Sequence, residues 1–372
     1  MNEFIDKFFS LSETKQRETL SLLLDSQDEQ LTVSVDLLSR KEESPQITQH
    51  DVIVENNRFT KDKTIGRGGF GKVTRTKDSL LGRDIACKQG LFKDQNHQKL
   101  FIQEAQICAQ LQHKGIIPLY DLLKMSDGTI EIHMREISGT TFKERLKREA
   151  GSKESFSINI HRIKEHVQII ESICQTLAYA HTRGVIHLDI KPTNILIGSF
   201  DEVFVIDWGL ARIHATSTAV QESVAVQDFQ VVSGGTPFYM APEQSLGKPT
   251  EQSDVFSIGI LLQEVIFGKQ LHSKFKTAGI NVWYQNITQT DYLKNEIKTL
   301  LNKYILFEKQ LSPLIEIIHR CLEPKPENRF TAVSDISVVL KSWLLGRNRY
   351  EEALPHLQKV QSLKLKLKDC ER

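Results

Sequence analysis

Residues 185–197, VIHLDIKPTNILI, place four polar side chains between two short apolar runs. Runs of this kind predict two buried strand segments joined by a loop. His187, Asp189, Lys191 and Asn194 are costly to remove from water on such a loop, so they need partners or a chemical role. The local pattern also fits a surface hairpin with solvated charges, and only the rest of the chain separates these two interpretations.

The composition is that of an ordinary globular chain with no strong charge of either sign. Its 372 residues are 40% hydrophobic and 26% charged, with a formal net charge of +1, which leaves room for a sizeable core. Near-neutrality gives no field that would attract nucleic acid or an anionic membrane surface, so we expect neither as a partner. The five cysteines contain no CxxC pair, which indicates reduced thiols and suggests neither disulfides nor a zinc site.

The start of the chain lacks the basic region and long apolar core of a signal peptide. No stretch approaches the ~18 continuous apolar residues of a membrane-spanning helix. We therefore expect a cytoplasmic protein with no membrane segment in this chain, and the sequence leaves its oligomeric state open.

Strand-like and helix-like patterns divide the chain into three parts. Residues 1–57 predict a helical N-terminal extension and a polar linker, and residues 346–372 predict a helical tail. Residues 58–345 form one predicted α+β domain, with a small strand-rich lobe over about 58–135 and a larger helical lobe over about 138–345. The clearest helical segments are 97–111, 163–182 and 253–267.

The small lobe contains a glycine-rich stretch, GRGGFGKV, with Gly66, Gly68 and Gly71. Glycines without a Cβ let the backbone approach phosphate oxygens closely. Alone, this spacing also fits a dinucleotide-binding turn, which requires a helix directly afterwards. The sequel KVTRTKDSLLGRDIACKQ instead alternates like two strands joined by a turn, so we predict a hairpin that covers phosphates.

A lysine and a glutamate follow the hairpin at a spacing that predicts an ion pair. Lys88 ends the strand IACK, and Glu104 lies in the helical pattern FIQEAQICAQL. A covered lysine is costly and must pair with an anion, for which Glu104 and a phosphate are the candidates. We expect Glu104 to lie near solvent.

Asp207 stands at the end of another apolar strand pattern, VFVIDWG. We group it with the polar residues of the predicted loop at 187–194. Asn194 and Asp207 together offer the hard oxygen ligands that Mg²⁺ prefers. Asp189 then remains to orient a hydroxyl and accept its proton, and Lys191 to neutralise charge on a transferred group. Each residue alone is more often a surface charge, but their joint order favours a phosphate-handling site.

Together these motifs resemble those of eukaryotic-type serine/threonine protein kinases over about residues 58–345. GRGGFGKV resembles the glycine-rich loop, IACK with Glu104 the strand lysine and its helix partner, HLDIKPTN the catalytic loop, DWG the metal-binding turn and MAPE the end of the activation segment. The resemblance implies a bilobal protein-kinase fold that uses ATP and Mg²⁺. It implies Asp189, Lys191, Lys88 and Glu104 as catalytic residues and Asn194 and Asp207 as metal ligands.

The resemblance also implies where ATP binds, with Met134 as gatekeeper before a hinge at 135–137. It implies an ion pair between Glu243 and Arg329, and it places Asp254 beneath the catalytic loop. The implied nucleotide-binding residues are Ile65, Gly66, Arg67, Gly68, Gly69, Phe70, Gly71, Val73, Ala86, Lys88, Met134, Glu136, Ile137 and Leu196.

Two residues depart from the family pattern. Leu188 stands where arginine is usual in the catalytic loop, and Trp208 stands where phenylalanine is usual in the metal-binding turn. Neither change removes a group expected to touch Mg²⁺ or phosphate. The usual arginine pairs with a phosphate on the activation segment. Since leucine cannot, we predict that phosphorylation of this segment, which runs from Asp207 to Glu243, does not switch catalysis.

The implied function is transfer of the γ-phosphoryl group of ATP to Ser/Thr hydroxyls of a protein substrate. Lys191 and Thr236 favour Ser/Thr over Tyr as the acceptor. One alternative is a nucleotide-binding pseudokinase scaffold without turnover, and the complete residue set argues against it. The other is a small-molecule kinase, and the segment GTPFYMAPE argues against that.

Overall fold

The computed structural model describes residues 58–68, 71–92, 95–125, 127–150, 160–213, 238–267, 280–287, 289, 292–301 and 308–346. The chain divides into two units, 1–58 and 59–372. The helices predicted within 1–40 and the tail predicted over 346–372 lie outside the described residues, except for Gly346. The architecture below therefore concerns the second unit.

The small lobe is a five-stranded antiparallel sheet with one helix, as the strand patterns predicted. The strands run in the order β1-β2-β3-β5-β4, and helix α1 lies between β3 and β4 along the chain. The bounds are β1 Phe59–Gly68, β2 Gly71–Asp78, β3 Arg83–Gly90, α1 Gln95–Gln110, β4 Leu119–Lys124 and β5 Ile130–Arg135. The helix predicted over 97–111 thus begins two residues earlier and ends one residue earlier.

Helix α1 packs on one face of this sheet through residues four apart in sequence. Phe101 and Ala105 form a buried cluster with Ile130 and Ile132 of β5. Residues i and i+4 of a helix share a face, and alternate residues of a strand do the same. Met134 continues the same face of β5 and packs against the edge of the cluster.

The opposite face of β3 and β5 carries three buried polar side chains, which we name the polar trio: Cys87, Glu131 and His133. Glu131 accepts hydrogen bonds from Cys87 and Lys61 and lies 3.2 Å from Nε2 of His133. Burial alone would raise the pKa of Glu131. The hydrogen bonds from His133, Lys61 and Cys87 outweigh it and lower this pKa to about 2, so the carboxylate stays ionised inside the lobe.

The large lobe consists of eight described helices and five short strands. Strands β6, β8 and β9 form one sheet in the order β6-β8-β9, and β7 pairs with β10. The helices are α2 Phe142–Ala150, α3 Ile160–Thr182, α4 Pro242–Ser245, α5 Glu251–Phe267, α6 Ile280–Ile287, α7 Tyr292–Leu301, α8 Glu308–Cys321 and α9 Val333–Leu344. The strands are β6 Gly139–Thr141, β7 Val185–Ile186, β8 Ile195–Gly198, β9 Val203–Val205 and β10 Arg212–Ile213.

Helix α5 occupies the centre of this lobe. Its residues from Ser253 to Phe267 are buried with the single exception of Glu264, and a helix that is covered on all sides belongs to a core. It packs against α3, α8 and α9. A side chain at Gly259 would overlap Cys321 and Leu322, so this glycine permits the close approach of α8.

The expected ion pair between Glu243 and Arg329 is present in the large lobe. Two guanidinium nitrogens of Arg329 contact the two carboxylate oxygens of Glu243 at 2.7 and 3.0 Å. The same guanidinium donates to the backbone carbonyls of Glu323, Gln252 and Pro324. Arg329 is 2% exposed. Its positive charge is therefore buried, and the carboxylate and the three carbonyls accept its hydrogen bonds.

The α+β bilobal architecture matches the fold class predicted from the sequence. Within the described residues, no helix combines the length and apolar character needed to cross a membrane.

We expect Arg329→Met to destabilise the fold by about 3–5 kcal/mol, because it leaves the carboxylate of Glu243 and three carbonyls without their buried partner. The free energy of unfolding in denaturant measures this. Arg145→Met is the matched control: Arg145 contacts Glu165 at 2.6 Å in a partly exposed pair, so its loss should cost below about 1 kcal/mol. Equal effects of the two substitutions would contradict the prediction.

Candidate active site

Residues 185–197 form two buried strand segments with a polar loop between them, as predicted. Strands β7 and β8 enclose residues 187–194, and the last three of these form a 3-10 helix, Pro192–Asn194. The two strands do not form a hairpin, because β7 pairs with β10 while β8 pairs with β6 and β9. The solvated-hairpin interpretation is therefore wrong.

Asp254 of α5 holds this loop from below, at the place that the resemblance implied. Its carboxylate accepts the backbone N–H groups of His187 at 2.9 Å and Leu188 at 2.8 Å. It also lies 2.8 Å from Nε2 of His181 on α3. Desolvation opposes ionisation here, but the hydrogen bond and charge of His181 and the contacts of His187 outweigh it and lower the pKa of Asp254.

Leu188 needs this support because its backbone lies in the left-handed region, at φ 66°. That conformation costs a residue with a Cβ roughly 1–2 kcal/mol. The turn directs the following residue, Asp189, toward the lobe interface. The side chain of Leu188 is buried, at 4% exposure. An apolar group thus occupies the position where the family pattern has a charged arginine.

Asp189, Lys191 and Asn194 form one hydrogen-bonded group on the loop. Oδ2 of Asp189 accepts Nζ of Lys191 at 2.6 Å and Nδ2 of Asn194 at 2.8 Å. Nδ2 of Asn194 also donates to the backbone carbonyl of Asp189. Both amide hydrogens of Asn194 therefore point toward Asp189. Its carbonyl oxygen accepts the Thr193 hydroxyl at 3.5 Å and keeps a second lone pair for a ligand.

Asp207 follows β9 and lies beside this group. The backbone N–H of Ile206 donates to the carbonyl of Asn194 at 2.9 Å, which joins the end of β9 to the loop. Asp207 has φ 67°, a conformation that aspartate tolerates better than most residues. Its carboxylate is 39% exposed, so it is open to a ligand.

Trp208 of the DWG turn is buried against His187. It is 2% exposed, its ring lies edge-on to His187 with centroids 4.6 Å apart, and its Nε1 donates to the carbonyl of Val205. The larger ring thus replaces phenylalanine without leaving a buried polar atom unpaired.

Lys88 and Glu104 form the predicted ion pair across β3 and α1. Nζ of Lys88 lies 2.5 and 2.7 Å from the two oxygens of Glu104 and 4.0 Å from Oδ1 of Asp207. Desolvation would lower the pKa of Lys88, but the charges of Glu104 and Asp207 raise it above its usual value. Lys88 is therefore a fixed cation that joins the small lobe to Asp207 of the DWG turn.

Glu104 is more buried than the sequence led us to expect. Its residue exposure is 7%, and burial raises the pKa of its carboxyl while Lys88 opposes that rise. The expectation that it lies near solvent is wrong, because α1 presses this face of the helix against the sheet and Gly209 approaches its carboxylate closely.

The glycine-rich stretch forms a hairpin and not a dinucleotide-binding turn. Strand β1 ends at Gly68, β2 begins at Gly71, and these two residues pair. A strand therefore follows where a dinucleotide-binding turn requires a helix. Gly69 and Phe70 lie outside the described residues, as do the side-chain surroundings of Arg67 and Gly68.

The remaining residues expected to bind the nucleotide lie on the strands of the small lobe, directly after β5 and on β8. Strand pairing places Val73 opposite Lys88 and Ala86 opposite Met134, so these four belong to adjoining strands. Glu136 is held by the guanidinium of Arg75 at 2.6 Å. The others in the described residues are Ile65, Gly66, Gly71, Ile137 and Leu196, of which Ile65 is the most exposed.

Two residues of the site were not predicted from the sequence. Nε2 of Gln244 on α4 donates to the backbone carbonyl of Leu188 at 2.7 Å, and His181 contacts Asp254. Gln244 directly follows MAPE in the sequence. That position was the only indication that its side chain contacts the site. Together with Asp254, these side chains hold both backbone polar groups of Leu188. Residues 214–237 lie outside the described residues. They include Thr236 and the Ser and Thr side chains of the activation segment that could be phosphorylated.

We expect Asp254→Asn to make stability less dependent on pH in acid. Since the folded pKa is depressed, Asp254 contributes stability that is complete above its unfolded pKa of about 3.9 and is lost as the pH falls further. Unfolding free energies of both proteins between about pH 6 and pH 3 measure this. The advantage of the natural residue should shrink toward pH 3, and a constant difference would refute the interpretation.

Comparisons with known proteins agree with this geometry. A family model of the protein kinase domain matches residues 59–342. Serine/threonine-protein kinase PknD of Protochlamydia amoebophila is 31% identical over 304 residues, which is 77% of this chain and 30% of that protein. The PknD of Chlamydia trachomatis serovar L2b is 30% identical over 315 residues, or 78% and 32% of the two chains.

The PknD of Chlamydia felis is 28% identical over 325 residues, which cover 82% of this chain and 33% of that protein. The chain thus spans about a third of the length of these relatives. The family model begins at the first strand of the small lobe and reaches into the last described helix of the large one. The chain belongs to the protein kinase family.

Proposed function

We propose that this chain is an ATP-dependent serine/threonine protein kinase. One observation carries the proposal: Lys88, Glu104 and Asp207 form a contiguous charged group that meets Asp189, Lys191 and Asn194 where β9 is bonded to the catalytic loop. Phosphoryl transfer has a loose transition state, so an enzyme contributes mainly positioning and charge stabilisation. Four carboxylate or amide side chains and two cations in this group supply both. The relatives named PknD are serine/threonine kinases by name, which favours the same acceptor here.

The side chains present fit a magnesium ion. Asp207 offers an open carboxylate, and Asn194 offers its carbonyl oxygen because both of its amide hydrogens are engaged by Asp189. These are hard oxygen donors, the kind that Mg²⁺ prefers. When bound there with the nucleotide, Mg²⁺ would neutralise charge on the phosphate oxygens.

Asp189 is the proposed acceptor of the substrate hydroxyl's proton. Lys191 and Asn194 fix its Oδ2, so the direction of the carboxylate is set before substrate arrives. Lys191 also places a positive charge beside the position of the transferred group. Lys88, fixed by Glu104, supplies a second cation from the small lobe, where it would contact the phosphates of ATP.

The nucleotide is proposed to lie between the glycine-rich hairpin and the large lobe. Ile65, Val73, Ala86 and Leu196 would sandwich adenine, with Met134 as gatekeeper and 135–137 as hinge. The hairpin glycines would close over the phosphates. We propose a protein with an exposed Ser or Thr as acceptor and a cytoplasmic location, in keeping with the sequence analysis.

We expect Asp189→Asn to reduce kcat for phosphorylation of a basic model protein by about 100-fold or more, because general-base assistance is typically worth 10²–10⁴. ATP affinity should change by less than about threefold, since Asp189 holds no nucleotide group. Radiolabelled ATP and phosphoamino-acid analysis measure transfer and acceptor type. Equal transfer by both proteins would indicate a nucleotide-binding scaffold, and transfer only to a small-molecule alcohol would indicate the other alternative.

We expect catalysis to be independent of phosphorylation on the activation segment. Leu188 offers no charge for a phosphate, and Gln244 already fastens the end of the segment to the loop through the Leu188 carbonyl. The variant with Thr216, Ser217, Thr218, Ser223 and Ser233 replaced by alanine should keep kcat within about tenfold, or ~1.4 kcal/mol of barrier. A larger loss, matched by phosphatase treatment of the natural protein, would contradict this.

Gln244→Ala is the complementary change. It should lower kcat more than the five-alanine variant does, because it frees the carbonyl of a strained residue next to Asp189. Gln252→Ala removes a similar bond, from Nε2 to the Thr331 carbonyl at 2.8 Å, far along the chain from the loop. That control should leave kcat unchanged.

A further inference from the structure

The polar trio in the small lobe has a geometry that the proposed kinase reaction does not use. Cys87 and His133 are direct partners in the pairing of β3 with β5, and Glu131 precedes His133 by two residues on the same face. Because strand side chains alternate, the trio lies on the face opposite Lys88 and Met134. It is thus separated from the nucleotide by the thickness of the sheet.

The three side chains converge on one point. Sγ of Cys87 and Nε2 of His133 each lie 3.2 Å from Oε2 of Glu131, and all three atoms lie within 4.8 Å of one another. Their residue exposures are 0%, 1% and 1%. Buried polar groups are normally retained only when fully satisfied or functional. In the described part of the chain, Nδ1 of His133 is buried and makes no hydrogen bond.

We propose that Cys87, Glu131 and His133 form a binding site for a transition-metal ion of the zinc type. A sulfur, an imidazole nitrogen and a carboxylate oxygen are the donors that bind Zn²⁺ in proteins. A tetrahedral ion with bonds of about 2.0–2.3 Å separates its ligand atoms by roughly 3.3–3.7 Å. The two 3.2 Å separations to Oε2 of Glu131 need only a small expansion to reach this, and the sulfur–nitrogen separation lies within 4.8 Å.

The charges also suit a divalent ion. As the metal–sulfur bond forms, the thiol proton of Cys87 leaves to solvent, so that the thiolate and the carboxylate offset the two charges of the ion and the ammonium of Lys61 leaves one net positive charge. Lys61 keeps its place on the other oxygen of Glu131, at 2.5 Å, and a water molecule or that oxygen completes the tetrahedron. Mg²⁺ is disfavoured because a thiolate is too soft a ligand for it. The site is therefore chemically distinct from the proposed magnesium site.

A bound ion would link β3 to β5 directly. These strands carry Lys88 and Met134 on their other face, and Lys61 adds β1 to the same cluster. A ligand that binds only the folded state stabilises it by RT ln(1 + c/Kd), where c is the concentration of the free ion, so the stabilisation rises with that concentration. The sequence alone gave no indication of this site, because its ligands come from two strands 44 residues apart and contain no CxxC pair.

The test uses the full chain, stripped of metal by a chelator in the presence of a reductant. Co²⁺, which takes the geometry of Zn²⁺ but absorbs light, is added as the probe. We expect one Co²⁺ per chain, a thiolate-to-cobalt charge-transfer band, and loss of that band on adding Zn²⁺. Zn²⁺ at about 100 times its Kd should raise Tm by about 4 °C.

Cys87→Ser changes one atom and should weaken metal affinity by about 100-fold or more while removing the band. Cys108→Ala is the matched control, since Cys108 is a thiol of the same lobe outside the trio, and it should keep both. If Cys87→Ser fails to fold, His133→Gln and the Zn²⁺ dependence of Tm in the natural protein give the same decision.

A natural protein with no charge-transfer band and no Tm change with Zn²⁺ would overturn the proposal. A band that persists unchanged in Cys87→Ser would overturn it as well. Either result would identify the trio as a hydrogen-bonded cluster around Glu131 that holds no metal. Neither result bears on phosphoryl transfer, which is measured separately with ATP and a protein acceptor.

Discussion

The buried carboxylate of Asp254 holds the catalytic loop in a backbone shape that the loop's own residues disfavour. Leu188 has a left-handed backbone. Its apolar side chain cannot make the local hydrogen bond by which Asn or Asp tolerates this conformation. The two N–H groups held by Asp254 and the carbonyl held by Gln244 fix the turn from both sides. Because α5 is buried on nearly all sides, Asp254 cannot move without disturbing the core of the large lobe. The direction of Asp189 is therefore set by the rigidity of that core.

The small lobe joins this fixed frame through charge. Lys88 contacts Glu104 on α1 and approaches Asp207 after β9, so one ammonium links a strand, a helix and the DWG turn. Its position depends on Phe101 and Ala105, which seat α1 on the sheet. Gly209 lets the backbone after Trp208 come near Glu104. Apolar packing of α1 thus decides whether the charged groups of the two lobes meet.

The sequence predicted those features that follow from local pattern or from the order of motifs. The hairpin at the glycine-rich stretch follows from alternation in KVTRT and IACK, and the group of Lys88, Glu104, Asp189, Asn194 and Asp207 follows from motif order. Gln244 contacts a residue 56 positions away, and His181 one 73 positions away. Such contacts depend on how helices pack, which a single sequence does not encode in any periodicity. The burial of Glu104 was misjudged for the same reason.

The ionised Glu131 imposes a further condition on the glycine-rich hairpin. With a pKa of about 2, this carboxylate remains charged inside the lobe and requires a cation or strong donors at all times. Lys61 of β1 supplies the cation, and Phe59 lays its ring edge-on against His133 with centroids 4.4 Å apart. The base of β1 is thereby held to β5 across the sheet. Register shifts between Lys61 and Thr64 and between Thr64 and Gly66 separate this base from the glycines. The hairpin that is proposed to cover the phosphates is consequently anchored by charge at its base, through an ion pair that joins β1 to β5.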